Sequence, residues 1–362
     1  MRKLVAGVAA ALLAVILVFP FRVNGISAQS AILMDSTTGR VLYNKQSDRR
    51  SLIASTTKIM TALIVCEQCN VLDRVKIPSE AVGIEGSSIY LQQGEILTVQ
   101  ELLYGMMLHS GNDAATALAI YCGGTVEGFV QMMNDKARVL GLNNTHFENP
   151  HGLDAADHYS TAEDLGKLSA FAMKNSIFAK VVSTKTARIG ERCLQNHNKL
   201  LWRLDGADGI KTGYTRRAGR ILVSSATRQG RRLIAVTISD PDDWEDHAKL
   251  MEMGFADYSP QMIVSKATLL GSVEVAGGHE GKVNIISDAD FYYAVGQDEE
   301  IMISLPAPGF VYAPVVAGQK AGYAQIYLDD QWIGNVPLVF GSTIEKTEEI
   351  RNNTWFRLFG GE

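Results

Sequence analysis

Basic residues are in the minority in this 362-residue chain, with 34 Lys and Arg against 39 Asp and Glu and a formal charge of −5. An acidic surface repels a phosphate backbone, so nucleic acid is not an expected partner. Cysteine is scarce too, at four residues: Cys66, Cys69, Cys122 and Cys193. Cys66 and Cys69 have CxxC spacing, but they follow the apolar run Ile59–Val65 instead of opening a helix, where a thiolate would be stabilised. They read first as small buried hydrophobes, and a disulfide between them stays open. His146, His151 and His158 are irregularly spaced, and no histidine stands at ligand spacing from the cysteines. Neither a metal site nor a cofactor is expected.

Long apolar runs are missing after the first twenty residues. Arg2 and Lys3 precede an apolar stretch from Leu4 to Phe19, then Pro20 and a small-residue stretch ending Ile26-Ser27-Ala28. That pattern predicts a secretory signal peptide over residues 1–28, cut after Ala28, with an uncleaved anchor as the alternative. Its removal takes away Arg2, Lys3 and Arg22 and no acid, leaving 31 basic against 39 acidic residues and a charge of −8.

The rest is long enough for two domains. From Ala31 to about Tyr258 strands alternate with helices. A hairpin runs from Ala31 to Tyr43, and helices are expected from Ser55 and over 99–109, 112–121, 125–140, 160–174 and 242–254. Strands are expected over 209–214, 220–227 and 232–239. Strands flanking a helical middle imply an α/β (α+β) domain, an antiparallel sheet with helices packed around it, over 29–258. After Ser259-Pro260 short alternating strands with glycine turns predict a small all-β sandwich domain over 259–343.

Three short motifs carry the chemistry, and each occurs once: Ser55-Thr56-Thr57-Lys58, Ser110-Gly111-Asn112 and Lys211-Thr212-Gly213. Positions 55 and 58 lie one helical turn apart, which sets a hydroxyl beside an amine at the start of an apolar helix. Burial, and a second cation at Lys211, disfavour the ammonium form of Lys58 and make it a base for Ser55. Alone, the motif would far more readily describe an N-cap serine with a solvated lysine. Ser110 is placed as a proton relay and Asn112 as an amide that holds Lys58 and the substrate backbone. Gly213 lets an extended peptide lie against the strand, while Lys211 and Thr212 offer a cation and a hydroxyl to a terminal carboxylate. The N–H groups of Ser55 and Tyr214 are the natural pair for an oxyanion hole.

In these motifs, in Thr38-Gly39-Arg40-Val41-Leu42-Tyr43 and in Asn149-Pro150-His151-Gly152-Leu153-Asp154, the chain resembles the low-molecular-weight penicillin-binding proteins, the D-alanyl-D-alanine carboxypeptidase family. The resemblance implies the penicillin-binding/β-lactamase-like fold and a serine peptidase that removes the last D-alanine from peptidoglycan pentapeptides through a Ser55 acyl-enzyme. It also implies acylation by β-lactams and a place in the periplasm, at the cell surface or on the outer face of the cytoplasmic membrane. By the same resemblance residues 344–362, with Trp355, Phe356, Leu358 and Phe359, form an amphipathic tail on the membrane surface; a tail packed on the β-domain is the alternative. Two other functions stand as alternatives. A β-lactamase needs a carboxylate to activate the deacylating water, for which Glu191 is the nearest candidate, and a non-catalytic β-lactam or muropeptide sensor would carry a broken motif.

Overall fold

The structure is a computed structural model that describes residues 25–296, 298–306 and 309–347. The strands β1 (Ser30–Asp35) and β2 (Val41–Lys45) open the first domain, and a 3-10 turn over Ala54–Thr57 runs straight into α1 (Lys58–Gln68). Five helices follow: α2 (Val99–Leu108), α3 (Asn112–Gly123), α4 (Val126–Val139), α5 (Ala162–Ala172) and α6 (Ser176–Ser183). The strands β3 (Ala207–Thr215), β4 (Gly219–Arg228) and β5 (Arg231–Ile238) then lead to α7 (Asp243–Ala256). All pairings in the resulting five-stranded sheet are antiparallel, in the order β2-β1-β5-β4-β3.

Side chains alternate across a strand, so each strand feeds two cores. On β1, Ile32 and Met34 join the larger core with α1 to α6, while Ala31 and Leu33 pack with Leu250 and Met251 of α7 on the other face. α1 is buried from Lys58 through Cys66, as its nearly all-round apolar sequence requires. Helix starts are set by local chemistry. Thr98 and Glu101 form a reciprocal capping box for α2, and Asn175 accepts from the N–H groups of Ile177 and Phe178 to start α6. No expectation covered α6, although Asn175 is a readable cap.

The chain enters this domain before β1. Ile26 and Ala28 are buried in the core beneath α7. Ser27 donates its N–H to Asp246 Oδ2 at 2.5 Å and its hydroxyl to Asp240 Oδ1 at 2.7 Å. The expected cut after Ala28 therefore divides a segment whose packing belongs to the folded domain. The cysteines are free thiols, and the Cys69 thiol is raised above its ordinary pKa, chiefly by Cys122 of α3 and by burial.

Beyond α7 the β-domain holds β6 (Ser259–Val264), β7 (Leu269–Ala276), β8 (Lys282–Ser287), β9 (Phe291–Val295), β10 (Ile301–Ser304), β11 (Phe310–Tyr312), β12 (Lys320–Leu328) and β13 (Gln331–Phe340). Six strands form one sheet in the order β10-β12-β13-β8-β7-β11, and β6 pairs with β9 as a separate ribbon around a shared core. Arg40, in the β1–β2 turn, pins the two domains. It ion-pairs with Glu299, donates to the Ala294 carbonyl, and lies 5.0 and 5.4 Å from the ring centres of Tyr258 and Tyr293. Most of the expected signal peptide and most of the expected tail lie outside the described residues.

Candidate active site

All three motifs meet at one end of α1, where the β3 edge of the sheet faces the helical core. Ala54 has a left-handed φ of 45°, which turns the chain sharply so that half-buried Ser55 faces the cavity while Thr56 and Thr57 are buried. Gly213 lets β3 come close to this turn: a Cβ there would sit 3.2 Å from the Ile53 carbonyl and 3.3 Å from the Ser55 N. The missing side chain thus serves the packing of the chain itself, in addition to any bound peptide.

Lys58 is fully buried, and its Nζ has three partners: Ser55 Oγ at 3.0 Å, Asn112 Oδ1 at 2.7 Å and the His151 carbonyl at 2.6 Å. Asn112 is held in this orientation because its Nδ2 donates to the Glu85 carbonyl at 2.5 Å. Two of the partners can only accept. In a neutral amine they take both hydrogens and leave the lone pair pointing at the Ser55 hydroxyl. Burial, reinforced by Lys211, pushes the Lys58 ammonium well below its ordinary pKa, against a smaller opposing pull from Asp113. The geometry and the electrostatics therefore favour the same protonation state.

The loop over residues 149–154 supplies what spacing alone did not point to. Asn149 Oδ1 accepts from the N–H of Gly152 at 2.7 Å and folds the loop so that the His151 carbonyl reaches Lys58. The His151 imidazole is lowered to about 3 by burial, then by Lys58 and His158. His158 accepts from the Glu148 N–H at its Nδ1, so its Nε2 carries the proton and donates to Thr57 Oγ1 at 2.8 Å. His146 Nδ1 meets the Asp157 carbonyl at 2.7 Å. The three histidines thus have separate structural tasks.

Ser110, in the turn before α3, has a left-handed φ of 64° and is buried against the cavity. Asp113 fixes the facing loop by accepting from the N–H groups of Ile89 and Leu91 and from the Ser88 hydroxyl at 2.6 Å. Lys211 is buried, donates to the Thr212 carbonyl at 2.9 Å, and is lowered by burial to about 7. Ser55, Ser110, Thr212, Gly213 and Tyr214 line one cavity of about 630 Å³, together with Arg220 and Trp244, which the motifs did not point to. Glu191, the β-lactamase candidate, is exposed in the turn of the hairpin Thr186–Gln195 and does not line this cavity.

Comparison with known proteins shows the family. The sequence profile of the D-alanyl-D-alanine carboxypeptidase family matches residues 19–242, and that of the penicillin-binding protein 5 C-terminal domain matches residues 258–346. The D-alanyl-D-alanine carboxypeptidase DacF of Bacillus subtilis is 32% identical over 335 residues, covering 88% of this chain and 86% of that protein. The D-alanyl-D-alanine carboxypeptidase of Streptomyces sp. K15 is 38% identical over 256 residues, covering 64% of this chain and 88% of its own. Among solved structures, penicillin-binding protein 5 from Haemophilus influenzae superposes with a TM-score of 0.77 at 30% identity, covering 89% of this chain and 98% of that one.

Proposed function

The chain belongs to the D-alanyl-D-alanine carboxypeptidase family, and from that premise we propose that Ser55 is the nucleophile, Lys58 its base and Ser110 its proton relay. It is a serine-type D-Ala-D-Ala carboxypeptidase, acting on peptidoglycan peptides and binding β-lactams as its family does. The observation that carries the assignment is the buried Lys58 amine, 3.0 Å from Ser55 Oγ, with its other two partners both acceptors.

In the reaction, neutral Lys58 takes the Ser55 proton as Oγ attacks the carbonyl of the penultimate D-alanine. The developing oxyanion faces the N–H groups of Ser55 and Tyr214. Collapse breaks the peptide bond, and the proton returns to the departing amine of D-alanine through Ser110. Water then resolves the acyl-enzyme, with Lys58 again as base. Asn112 and the strand over Thr212, Gly213 and Tyr214 hold the peptide backbone. Ser55→Ala abolishes both D-alanine release from an acylated L-Lys-D-Ala-D-Ala peptide and labelling by fluorescent penicillin; a variant that keeps either contradicts the assignment.

The enzyme is exported and works at the outer face of the cytoplasmic membrane. Supporting this are the leader-like start of the sequence and the Trp355, Phe356, Leu358 and Phe359 cluster near its end. Among the described residues no helix is long and apolar enough to cross a membrane. The burial of Ile26 and Ala28 favours a cut before Ile26. Mature protein recovered from an exporting host then begins at Ile26 or earlier on N-terminal sequencing, and deleting residues 348–362 releases it from anionic lipid vesicles without lowering peptide hydrolysis. Equal vesicle binding with and without the tail, or a first residue at Gln29 or beyond, contradicts this reading.

A further inference from the structure

Charge is unevenly spread over this acidic chain. Residues 174–203 hold seven lysines and arginines against the single acid Glu191. They span α6, the hairpin Thr186–Gln195 and the helical turn Leu200–Arg203. Arg192 pairs with Glu95 at 2.6 Å, and it is the only one of the seven with a carboxylate partner among the described residues. The other six are exposed. A run of like charge on open surface would be no more than a solvated face. Here the charges border a hollow.

A cavity of about 750 Å³ lies beside the catalytic one and shares His197 and Lys199 with it. Gln195, Trp202 and Arg203 also line it. At Cys193 and Gln195 it adjoins a further hollow of about 420 Å³ that includes Arg188. The three spaces form one trough that leaves the nucleophile and follows the hairpin. Trp202 is 44% exposed, and Lys185 Nζ lies 5.9 Å from the centre of its ring, close enough for cation–π attraction. Lys199, Arg203, Lys185 and Arg188, four cations without a carboxylate partner among the described residues, therefore border the trough together with one aromatic face.

We propose that this trough docks a linear polyanion of the cell envelope, a chain of polyol units joined by phosphodiesters, and so holds the enzyme beside its peptidoglycan substrate; the inference rests on the exported placement above. Charge complementarity selects the partner. A neutral glycan strand gives the four cations nothing to pair with, and the stem peptide is held along β3 in the catalytic cavity itself. A bilayer surface is flat and would meet the rim instead of filling a concave trough. A flexible phosphodiester chain supplies one anion per repeat, and each contact with a lysine or arginine releases counterions. Arginine adds a planar fork that matches phosphate oxygens. The net charge of the chain does not oppose this, because repulsion from acids more than about 10 Å away is largely screened at 0.1 M salt. Docking raises the local concentration of enzyme at its substrate without touching the catalytic groups.

The test titrates the mature full-length enzyme with synthetic poly(glycerol phosphate), and with neutral dextran of similar length, by isothermal titration calorimetry. Wild type binds the phosphate polymer and not dextran, and its Kd rises by about tenfold or more between 50 and 200 mM salt. Lys185→Glu combined with Arg203→Glu weakens binding by at least about tenfold, and Lys185→Gln combined with Arg203→Gln weakens it less. Both double variants keep the circular dichroism of wild type and its kcat/KM on a soluble D-Ala-D-Ala peptide. No polymer binding by wild type, or an unchanged Kd in the charge-reversed variant, overturns the inference. If charge reversal abolishes binding to phosphatidylglycerol vesicles and leaves the polymer Kd unchanged, the face belongs to the membrane and the polymer reading fails. A chain that an exporting host retains in its cytoplasm overturns the placement, and with it this choice of partner, whatever the Kd.

Discussion

At the residue scale the account turns on a lysine that the fold deprives of water. Lys58 has no exposed surface, and two fixed acceptors orient whatever hydrogens it carries. Arginine at this position keeps a cation but has no accessible neutral form. Lys58→Arg therefore lowers the rate of penicillin acylation by about two to four powers of ten while the protein still folds, as read by stopped-flow labelling and circular dichroism. Acylation within tenfold of wild type contradicts the role as base. This pairing was legible in the sequence, because positions 55 and 58 share one face of a helix whose apolar run calls for burial. The His151 carbonyl was not, since a backbone acceptor has no signature in residue identity.

At the scale of an element, the loop over residues 149–154 joins packing to chemistry. Gly152 has a φ of 90°, and a Cβ on it would fall 1.8 Å from the Ala54 carbonyl oxygen, inside the turn that carries Ser55. The two contacts cannot relax separately, because both partners are backbone. Gly152→Ala costs at least ~2 kcal/mol of stability from strain and clash. Displacement of the neighbouring His151 carbonyl also weakens acylation by the variant that does fold. Urea denaturation and penicillin labelling check the two effects, and a variant with wild-type values for both contradicts this view of the loop. Strands and long helices were readable from periodicity, since β3, β4, β5 and α1 to α5 stand within a few residues of expectation. The short α6 and the hairpin after it were not, because eight and four residues are too few to establish a period.

At the scale of the whole molecule, two buried histidines make the fold sensitive to acid. His247 lies between Ser224 Oγ at 2.6 Å and Thr237 Oγ1 at 2.9 Å, bridging β4 and β5 from α7, and burial lowers it to about 3. His158, which contacts Thr57 in the turn that carries Ser55, is lowered to about 4, first by burial and then by His146. Both folded values lie below the ordinary 6.5, so the unfolded chain binds the extra protons. Their contribution is complete above about pH 6.5 and is lost as pH falls toward 4, by up to about 2 kcal/mol for each between pH 6.5 and 5. Asp240 and Asp243, raised by burial, act in the opposite direction and offset part of this loss. Thermal melts from pH 7 to 5 therefore show a falling Tm, and a flat or rising Tm contradicts the assignment of both histidines as buried and neutral. The change of texture at Ser259-Pro260 coincides with the start of strand β6, where alternation with period two replaces the helical pattern of α7. The small residues before Gln29 suit both a cleavage rule and a tightly packed core, and Ile26 and Ala28 are buried beneath α7.

The most direct test of the central claim is the position of the β-lactam adduct. Mature protein incubated with penicillin and digested is predicted to carry one added penicilloyl mass, on the peptide containing Ser55 and on Ser55 itself in fragmentation spectra. An adduct on Ser110 or any other residue, or a protein left unmodified while it still releases D-alanine, contradicts the account.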